Sequence, residues 1–467
     1  MNRRALLIQL LGLGAVSAAT QVWARDSRLG WPQAEAGGPR PAPGSLAAAT
    51  GPGRGLPFAP LRGPIPLASD GLSAVEQQRA YARVALQDQL LVPEGYRSEV
   101  LVQWGDPLGS GRFGFNNDYV AFTPLDQGRA LLTVNFEYIS PRPWIAAYSE
   151  VMGRELPFKE LRKLLAERGG SVDAPSLAVD DPLRRPLLEV AIAAMEDVGI
   201  GVVEIERSTD QRWRRRSGRH DRRYDRRISG LTGLERPEAR LHCSGPAAAV
   251  FRKRQRLGYN DGLGDRIIGS FANCAGGQTP WGTVLSAEEN IQTHVVEAVY
   301  ADGSSPPPSV LPCRLDGDRL EGLGNPFGLA GNKYGWMVEI DPRRPERPPV
   351  KHTALGRFRH EAVAVRARAG EPLVVYSGCD RHGGHLYRYV SEASVRDPRD
   401  PANSRLLERG RLEVARFEAN GGGQWIPLQP QTPLNPLLPS HFSRFDLRAV
   451  LPLPHRDRSK AGAELVE

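Results

Sequence analysis

The spacing of apolar and polar positions changes near residue 199. Before this point, three segments carry apolar residues at helical spacing, which predicts helices over Ser73–Gln89, Glu155–Arg168 and Pro186–Asp197. After it, short apolar runs alternate with Gly, Pro, Asn and Asp, a pattern typical of strands and turns. The chain therefore predicts a fold of many short strands with a few helices in its N-terminal half.

The predicted strands are spread over most of the chain. The first three are Arg97–Gln103, Ala130–Phe136 and Gly199–Ile205. Those that follow are Gly282–Leu285, Trp336–Ile340, Ala362–Val365, Leu373–Tyr376 and Leu386–Val390. Short strands at fairly regular spacing favour an all-β fold, either a β-propeller or a large sandwich. No strict blade repeat chooses between the two.

Composition agrees with this class and excludes others. The 467 residues include 50 Gly and 40 Pro, which suits a fold rich in turns better than a helical bundle. Charged residues make up 24%, which excludes wholesale disorder. Four Cys are too few for a disulfide-dense scaffold, and their pairing is left open.

The net charge of +8 comes mainly from one segment. Arg207–Arg227 holds ten Arg and three Asp, a local charge of +7. A solvated hairpin turning at Ser217-Gly218 explains this run better than a nucleic-acid site does, because the rest of the chain is nearly neutral. We expect no nucleic acid as a specific partner.

The N-terminus has the layout of a targeting signal. In residues 1–24, Arg3-Arg4 precede an apolar stretch that ends before Ala24, which indicates a signal peptide of the twin-arginine type. An ordinary secretory signal is the alternative. The next segment, 25–68, is a Pro/Gly-rich arm, and 69–467 form the folded domain. We expect a periplasmic or secreted monomer, without a stable membrane anchor, that meets the twin-arginine translocation machinery during export.

Two polar groups follow predicted strands in the first half of the domain. Asn135 and Glu137 lie two residues apart at a strand end, so both side chains face the same side of the sheet. An amide and a carboxylate there can hold a metal and a ligand oxygen. Upstream, Asn116, Asn117 and Asp118 form either a structural turn or a set of oxygen ligands for a hard cation.

Residues 271–290 (FANCAGGQTPWGTVLSAEEN) contain the densest set of chemically active side chains. Cys274 precedes a Gly-Gly pair, and a later strand ends in Glu288-Glu289. Strand alternation sends the two carboxylates to opposite faces, so one of them faces a site. A thiolate beside a carboxylate favours a transition metal over calcium alone. A buried inert thiol with a solvated acidic pair is the alternative.

Further candidates lie near the C-terminal strands. Glu361 follows His360 just before an apolar strand. A second group combines ligand-type residues around a Gly-Gly turn, without a zinc spacing, and Asp380 is the best candidate in it. Its other members are Cys379, His382 and His385.

Together and in this order, these segments resemble the PhoX-type alkaline phosphatases, exported bacterial enzymes with a β-propeller fold. The resemblance spans about Phe113–Val390. It rests on GFNNDYVAFTPL, LLTVNFEY, YDRRISG followed by GPAAA, NCAGGQTPWGTVLSAEEN, YGWMVEIDP, ALGRFRHEAV and the YSGCD strand pair.

The resemblance implies a cluster of iron and calcium at the centre of the propeller. By motif, the metal ligands are Glu137, Cys274, Glu289 and Glu361, and Asn135 contacts the phosphate. The fold it implies is an all-β propeller with N-terminal helical insertions. The reaction it implies is hydrolysis of phosphate monoesters, or diesters, with small-molecule phosphate esters as partners.

This chain departs from the family pattern at its C-terminal end. The family continues into an Arg-Pro-Glu motif that supplies an arginine for phosphate and a carboxylate for metal. Arg236-Pro237-Glu238 and Arg344-Pro345-Glu346 have these letters in other surroundings. We therefore expect the last blades to be missing. A fragment, a site completed in another way and a degenerate member are the three explanations.

The sequence leaves two other functions open. One is a calcium-dependent lactonase-like propeller enzyme, and the other is a catalytically impaired or non-enzymatic calcium-binding propeller. Cys274 separates the phosphatase from the lactonase, because only an iron site needs a thiolate. No Gly-x-Ser-x-Gly motif stands out, so a serine hydrolase has little support.

Overall fold

The computed structural model describes residues 61, 70–84, 89–216, 222–317 and 319–429. The predicted signal peptide and all of the predicted arm but residue 61 lie outside these residues, as does the turn expected at Ser217-Gly218. By its contacts the chain divides into two compact units, Met1–Ser98 and Glu99–Glu467. The domain boundary expected at residue 69 stays a prediction.

The first unit contains helix α1, Ala74–Ala82. It begins at a capping box, in which the Ser73 hydroxyl accepts from the Glu76 amide and the Glu76 carboxylate accepts from the Ser73 amide. The helix ends before Gln89, where the sequence pattern predicted its end. None of its residues is buried, so it lacks the packed face that extends most protein helices.

The described part of the second unit contains four α-helices, and two of them were predicted. Helix α3 buries Leu161 and Leu165, as its apolar spacing predicts. Helix α2 ends at Gly153, whose φ of 65° provides the left-handed cap. The helices are α2 Pro141–Met152, α3 Phe158–Ala166, α4 Arg184–Asp197 and α5 Ala247–Arg252.

Strands are the main elements of the described chain, which confirms the mostly-β expectation. The segment 97–103 was predicted as a strand but forms none, and Val100 in it is exposed. The strands are β1 Pro107–Leu108, β2 Gly111–Arg112, β3 Asn117–Pro124, β4 Arg129–Phe136, β5 Ser171–Val172, β6 Gly199–Arg207, β7 Trp213–Arg215, β8 Arg226–Ser229, β9 Leu241–Ser244, β10 Arg266–Ile267, β11 Asn273–Gln278, β12 Val284–Glu288, β13 Cys313–Asp316, β14 Arg319–Glu321, β15 Met337–Ile340, β16 Val350–His352, β17 His360–Arg366, β18 Pro372–Cys379, β19 Leu386–Ser394, β20 Gly410–Phe417 and β21 Gly423–Pro427.

The strands form three large sheets and two small ones. The first large sheet has the order β3-β4-β6-β7, with β8 also paired to β6. The second has the order β10-β9-β16-β15-β12-β11, and the third is β17-β18-β19-β20-β21. Strand β11 lies beside both β3 and β17, so all three large sheets meet there. A closed ring of blades is not seen in the described residues, and the propeller stays a prediction.

Strands β4 and β6 form the centre of the first sheet. They pair antiparallel over eight residues, from Arg129 opposite Glu206 to Phe136 opposite Gly199. Helices α2, α3 and α4 cover this region with the largest apolar cluster, in which Trp144 and Tyr148 are fully buried. The loop after β4, which carries Glu137, therefore starts from a rigid base.

The arginine run does not form the predicted hairpin. Its two strands, β7 and β8, pair with β6 and not with each other. Several of the arginines are neutralised locally, and Arg216 for example contacts the Glu204 carboxylate at 2.6 Å. Arg227 is buried and donates to five backbone carbonyls, and its guanidinium lies 4.7 Å from the centre of the Phe136 ring. Arg216 and Arg227 therefore have structural roles in the first sheet.

Candidate metal centre

The Cys274 thiol lies where the three large sheets meet. It is buried in β11 and donates to a carboxylate oxygen of Asp118 at 2.9 Å and of Glu361 at 3.2 Å. Asp118 comes from β3 and Glu361 from β17. These contacts span 156 and 87 residues of sequence, so only the folded sheets bring the groups together.

Four carboxylates and this thiol form two overlapping sets of possible metal ligands. Asp118, Glu137 and Cys274 form one set, and Cys274, Glu289 and Glu361 form the other. Within each set the ligand atoms all lie within 4.8 Å of one another. The structure thus brings together the four residues predicted as metal ligands and adds Asp118.

The backbone around Cys274 is adapted to close packing. A side chain at Gly276 would collide with the Tyr119 ring, and one at Gly277 would collide with Val363. The Gly-Gly pair therefore lets β3 and β17 approach β11 from two sides. Ala272 has a φ of 55°, a left-handed conformation that costs about 1–2 kcal/mol for a residue other than glycine. Its carbonyl accepts from the Glu289 amide at 2.8 Å, which fixes Glu289 beside Cys274.

Glu288 and Glu289 point in opposite directions, as strand alternation predicts. The fully buried Glu288 carboxylate accepts from Lys351 Nζ at 2.6 Å, from the Ser270 hydroxyl and from two backbone amides. Its charge is thus compensated inside the protein. Glu289 instead faces Cys274 and Glu361.

Among the described residues, burial and neighbouring acidic groups dominate the electrostatics of this site. Burial and the charges of Glu361 and Glu137 raise the pKa of Glu289 to about 8. Burial, with the charges of Asp118 and Glu361, also raises the pKa of Glu137. Burial and hydrogen bonds to the carboxylates of Asp118 and Glu361 raise the pKa of the Cys274 thiol. Such groups ionise together only when a cation offsets the repulsion.

Asn135 lies beneath the site and is fully buried. Its amide nitrogen donates to the carbonyls of Cys274 at 2.6 Å and Ala275 at 3.0 Å, and its oxygen accepts from the Ser286 hydroxyl at 2.8 Å. Its side chain therefore ties β4 to β11 and β12. The contact with phosphate stays a prediction.

Asn290 was not identified from the sequence as a site residue. Its amide donates to a Glu289 oxygen at 2.6 Å, and a hydrogen bond from it partly offsets the rise in the pKa of Glu137. It therefore orients two possible ligands. Its position directly after the Glu288-Glu289 pair was the available signal.

Asp118 was noted in the sequence but not selected as a ligand. Asn116, two residues earlier, has a φ of 58°, and its carbonyl accepts from the Glu137 amide at 3.0 Å. This turn sets Asp118 and Glu137 on the same side of Cys274. The position of Asp118 therefore supports the hypothesis that this Asn-Asn-Asp turn provides an oxygen ligand for a cation.

The remaining candidates have peripheral positions. Asp380 is near enough for its charge to raise the pKa of Glu289. His382 and His385 belong to neither set of possible ligands within the described residues, and neither do the two Arg-Pro-Glu triplets. All four cysteines are free thiols, so no disulfide links them.

The residues present fit a cluster of hard and borderline cations. Carboxylate oxygens are the usual ligands of calcium, and a thiolate with carboxylates suits a transition metal such as iron. Two adjoining sets that share one sulfur can hold more than one ion. The donor chemistry therefore agrees with a mixed metal site.

Comparison with known proteins identifies the family. The family model described as alkaline phosphatase PhoX matches residues 79–465, which is most of the chain. This chain belongs to the PhoX alkaline phosphatase family. The matched range includes Cys274 and all four carboxylates around it. Among curated proteins, none matches the chain.

A solved structure supports the PhoX assignment. The structure of Pseudomonas fluorescens PhoX in complex with vanadate, a transition state analogue, is similar to this chain at 28% sequence identity and a TM-score of 0.53. The match covers 82% of this chain and 62% of that chain. The present chain thus spans less than two-thirds of that PhoX. Among the described helices, none is long and apolar enough to cross a bilayer.

Proposed function

We propose that this protein hydrolyses phosphate monoesters, or diesters, at the Cys274 site. The observation that carries the proposal is the convergence of one thiol and four carboxylates in a member of the PhoX family. The similar PhoX structure holds vanadate, a transition state analogue. A lactonase needs no thiolate, so the position of Cys274 favours the phosphatase.

Iron and calcium are the cations that we propose for this site. Cys274, Glu289 and Glu361 would hold one part of the cluster, and Asp118 and Glu137 the other. When bound, such cations neutralise phosphate oxygens and favour attack on phosphorus by an oxygen nucleophile. The raised pKa values of Glu289 and Glu137 mark the carboxylates whose charges most need this compensation.

The protein itself supplies rigidity and exclusion of water. Asn135 holds the backbone of Cys274 through its amide, and Asn290 holds the Glu289 carboxylate. Cys274 and Glu289 are both nearly inaccessible to solvent, so charges act there in a low dielectric. These contacts keep the possible ligands in place before a substrate arrives.

Three further features belong to the same proposal. The large sheets are blades of a β-propeller, whose closure would involve residues beyond those described. The twin-arginine signal in residues 1–24 exports the protein to the periplasm or the medium. The protein acts there as a monomer on small phosphate esters.

The test is turnover by protein with its metals restored. Purified chain loaded with iron and calcium should hydrolyse p-nitrophenyl phosphate, and vanadate should inhibit it competitively. Glu289→Gln should lower kcat/KM by at least about 100-fold, because it removes a charged ligand. Glu371→Gln is the matched control, since this carboxylate contacts Arg366, which lies at the opposite end of β17 from Glu361. No turnover by the loaded wild type would overturn the proposal.

A further inference from the structure

A large cavity opens beside the metal centre. Its volume is about 600 Å³, enough for a substantial organic group. Helix α2 and the residues before it form one wall, and residues after β12 together with β14 form the other.

Two of the lining residues connect this cavity to the proposed ligands. Tyr138, which lines it, directly follows the possible ligand Glu137. Asn290 also lines it, and its amide contacts the Glu289 carboxylate at 2.6 Å. A group bound in the cavity therefore contacts residues that adjoin two of the proposed ligands.

The walls of the cavity are mainly apolar and uncharged. Ile139 and Leu323 are buried there, and Pro141 begins helix α2 at its edge. His294 is 3% exposed and stacks on Phe271. Burial lowers the pKa of His294 to about 4, so its ring is neutral near pH 7. This surface suits an apolar group.

The outer part of the cavity lining carries a net positive charge. Arg142 and Arg319 are exposed there, and Glu321 is the single carboxylate among the lining residues. Positive charge at a mouth attracts a dianionic ester while its apolar part enters. The polarity thus changes from a charged mouth to an apolar interior.

We propose that this cavity binds the alcohol moiety of the phosphate ester, and that the protein prefers esters of bulky apolar alcohols to those of small alcohols. This inference rests on the proposed phosphatase function. The apolar wall of the cavity is the feature that indicates an apolar alcohol. Burial of an apolar group in such a pocket changes kcat/KM by about 10- to 200-fold.

The experiment compares two esters that leave as similar alkoxides. The wild type should hydrolyse 2-(2-naphthyl)ethyl phosphate with a kcat/KM at least about 10-fold above that for ethyl phosphate. Ser140→Trp should abolish this preference by lowering kcat/KM for the naphthyl ester. Ser140 lines the cavity, and its side chain makes no cap hydrogen bond that the substitution would remove.

Val250→Trp is the matched control. Val250 lines a separate cavity of about 290 Å³ next to Phe251, away from the possible ligands. This variant should keep the wild-type preference. It adds the same side chain to another cavity, so it separates filling of the proposed pocket from a general effect of bulk.

Binding of the alcohol provides a readout without turnover. Calorimetry should show that 2-(2-naphthyl)ethanol binds the wild type and Val250→Trp, and that Ser140→Trp binds it at least about 10-fold more weakly. If Ser140→Trp does not fold, Leu320→Trp tests the opposite wall of the same cavity. Equal kcat/KM for both esters in the wild type would overturn the cavity proposal and leave the phosphatase intact. Hydrolysis of neither ester would overturn the proposed function and this inference with it.

Discussion

Glu288 and Glu289 are neighbours in the chain but lie in opposite electrostatic surroundings. Glu288 and Lys351 are both 0% exposed and form an ion pair at 2.6 Å. Glu289 has a thiol and other carboxylates around it, and no cation from the described chain in its ligand set. A buried charge that the chain compensates itself supports the fold. Charges left without compensation indicate a site that binds an external cation.

The same contrast holds for two buried cysteines. The Cys313 thiol donates to the Gly322 carbonyl at 3.0 Å, and burial raises its pKa. It has the surroundings of a structural thiol. The Cys274 thiol instead contacts two carboxylates, which come from two neighbouring sheets. Burial alone therefore does not distinguish a ligand, whereas the partners do.

The largest expected effect is on the internal ion pair. Glu288→Gln leaves Lys351 charged and buried without its partner, which should lower the free energy of unfolding by about 3–5 kcal/mol. Urea unfolding of metal-free protein measures this. Glu289→Gln is the comparison and should not lower the free energy of unfolding, because burial and the neighbouring carboxylates already favour a neutral side chain at this position in the metal-free protein. Equal losses in both variants would remove the distinction between the two residues.

The next largest expected effect is the loss of stability when the metals are removed from the Cys274 site. Cations at about 100 times their dissociation constant stabilise the fold by about 2.7 kcal/mol, and a chelator should remove this amount. Thermal unfolding of the wild type with and without the chelator measures it. Glu288→Gln should keep the same difference, although its overall stability is lower. A chelator that leaves the wild-type melting temperature unchanged would contradict the metal assignment.

A smaller effect comes from the buried Glu339. Burial alone would raise its pKa, yet hydrogen bonds from His352, Thr283 and Ser404 lower it to about 2. The unfolded chain then binds more protons between about pH 4.5 and 2, so this contribution to stability is lost as the pH falls through that range. The wild type should lose on the order of 2 kcal/mol there. Unfolding at several pH values should show a flatter profile for Glu339→Gln, and identical slopes would refute this account.

Local patterns in the sequence predicted much of the fold. Apolar spacing located α3 and α4, which each bury one face, and it located β4 and β6, which are buried over most of their length. It failed at 97–103, where alternation occurs on an exposed segment. It also failed at β7 and β8, because strand pairing depends on which edge is free in three dimensions and not on the chain between the strands.

The site could be predicted only in part for a similar reason. The four expected ligands come together, and strand alternation correctly separated Glu288 from Glu289. Asp118 was undecided because its partner Cys274 is 156 residues away. The hydrogen bonds of Asn135 could not be predicted from the sequence either, since they cross from β4 to another sheet.

The central claim is that Cys274 binds a metal and is not an inert thiol. The direct measurement is the iron content of the purified wild type, Cys274→Ser and Cys313→Ser after identical loading with iron and calcium. Cys313→Ser should retain the iron of the wild type, and Cys274→Ser should lose most of it while still folded. Equal iron in all three proteins would contradict the account, and Cys274 would then be a second structural cysteine.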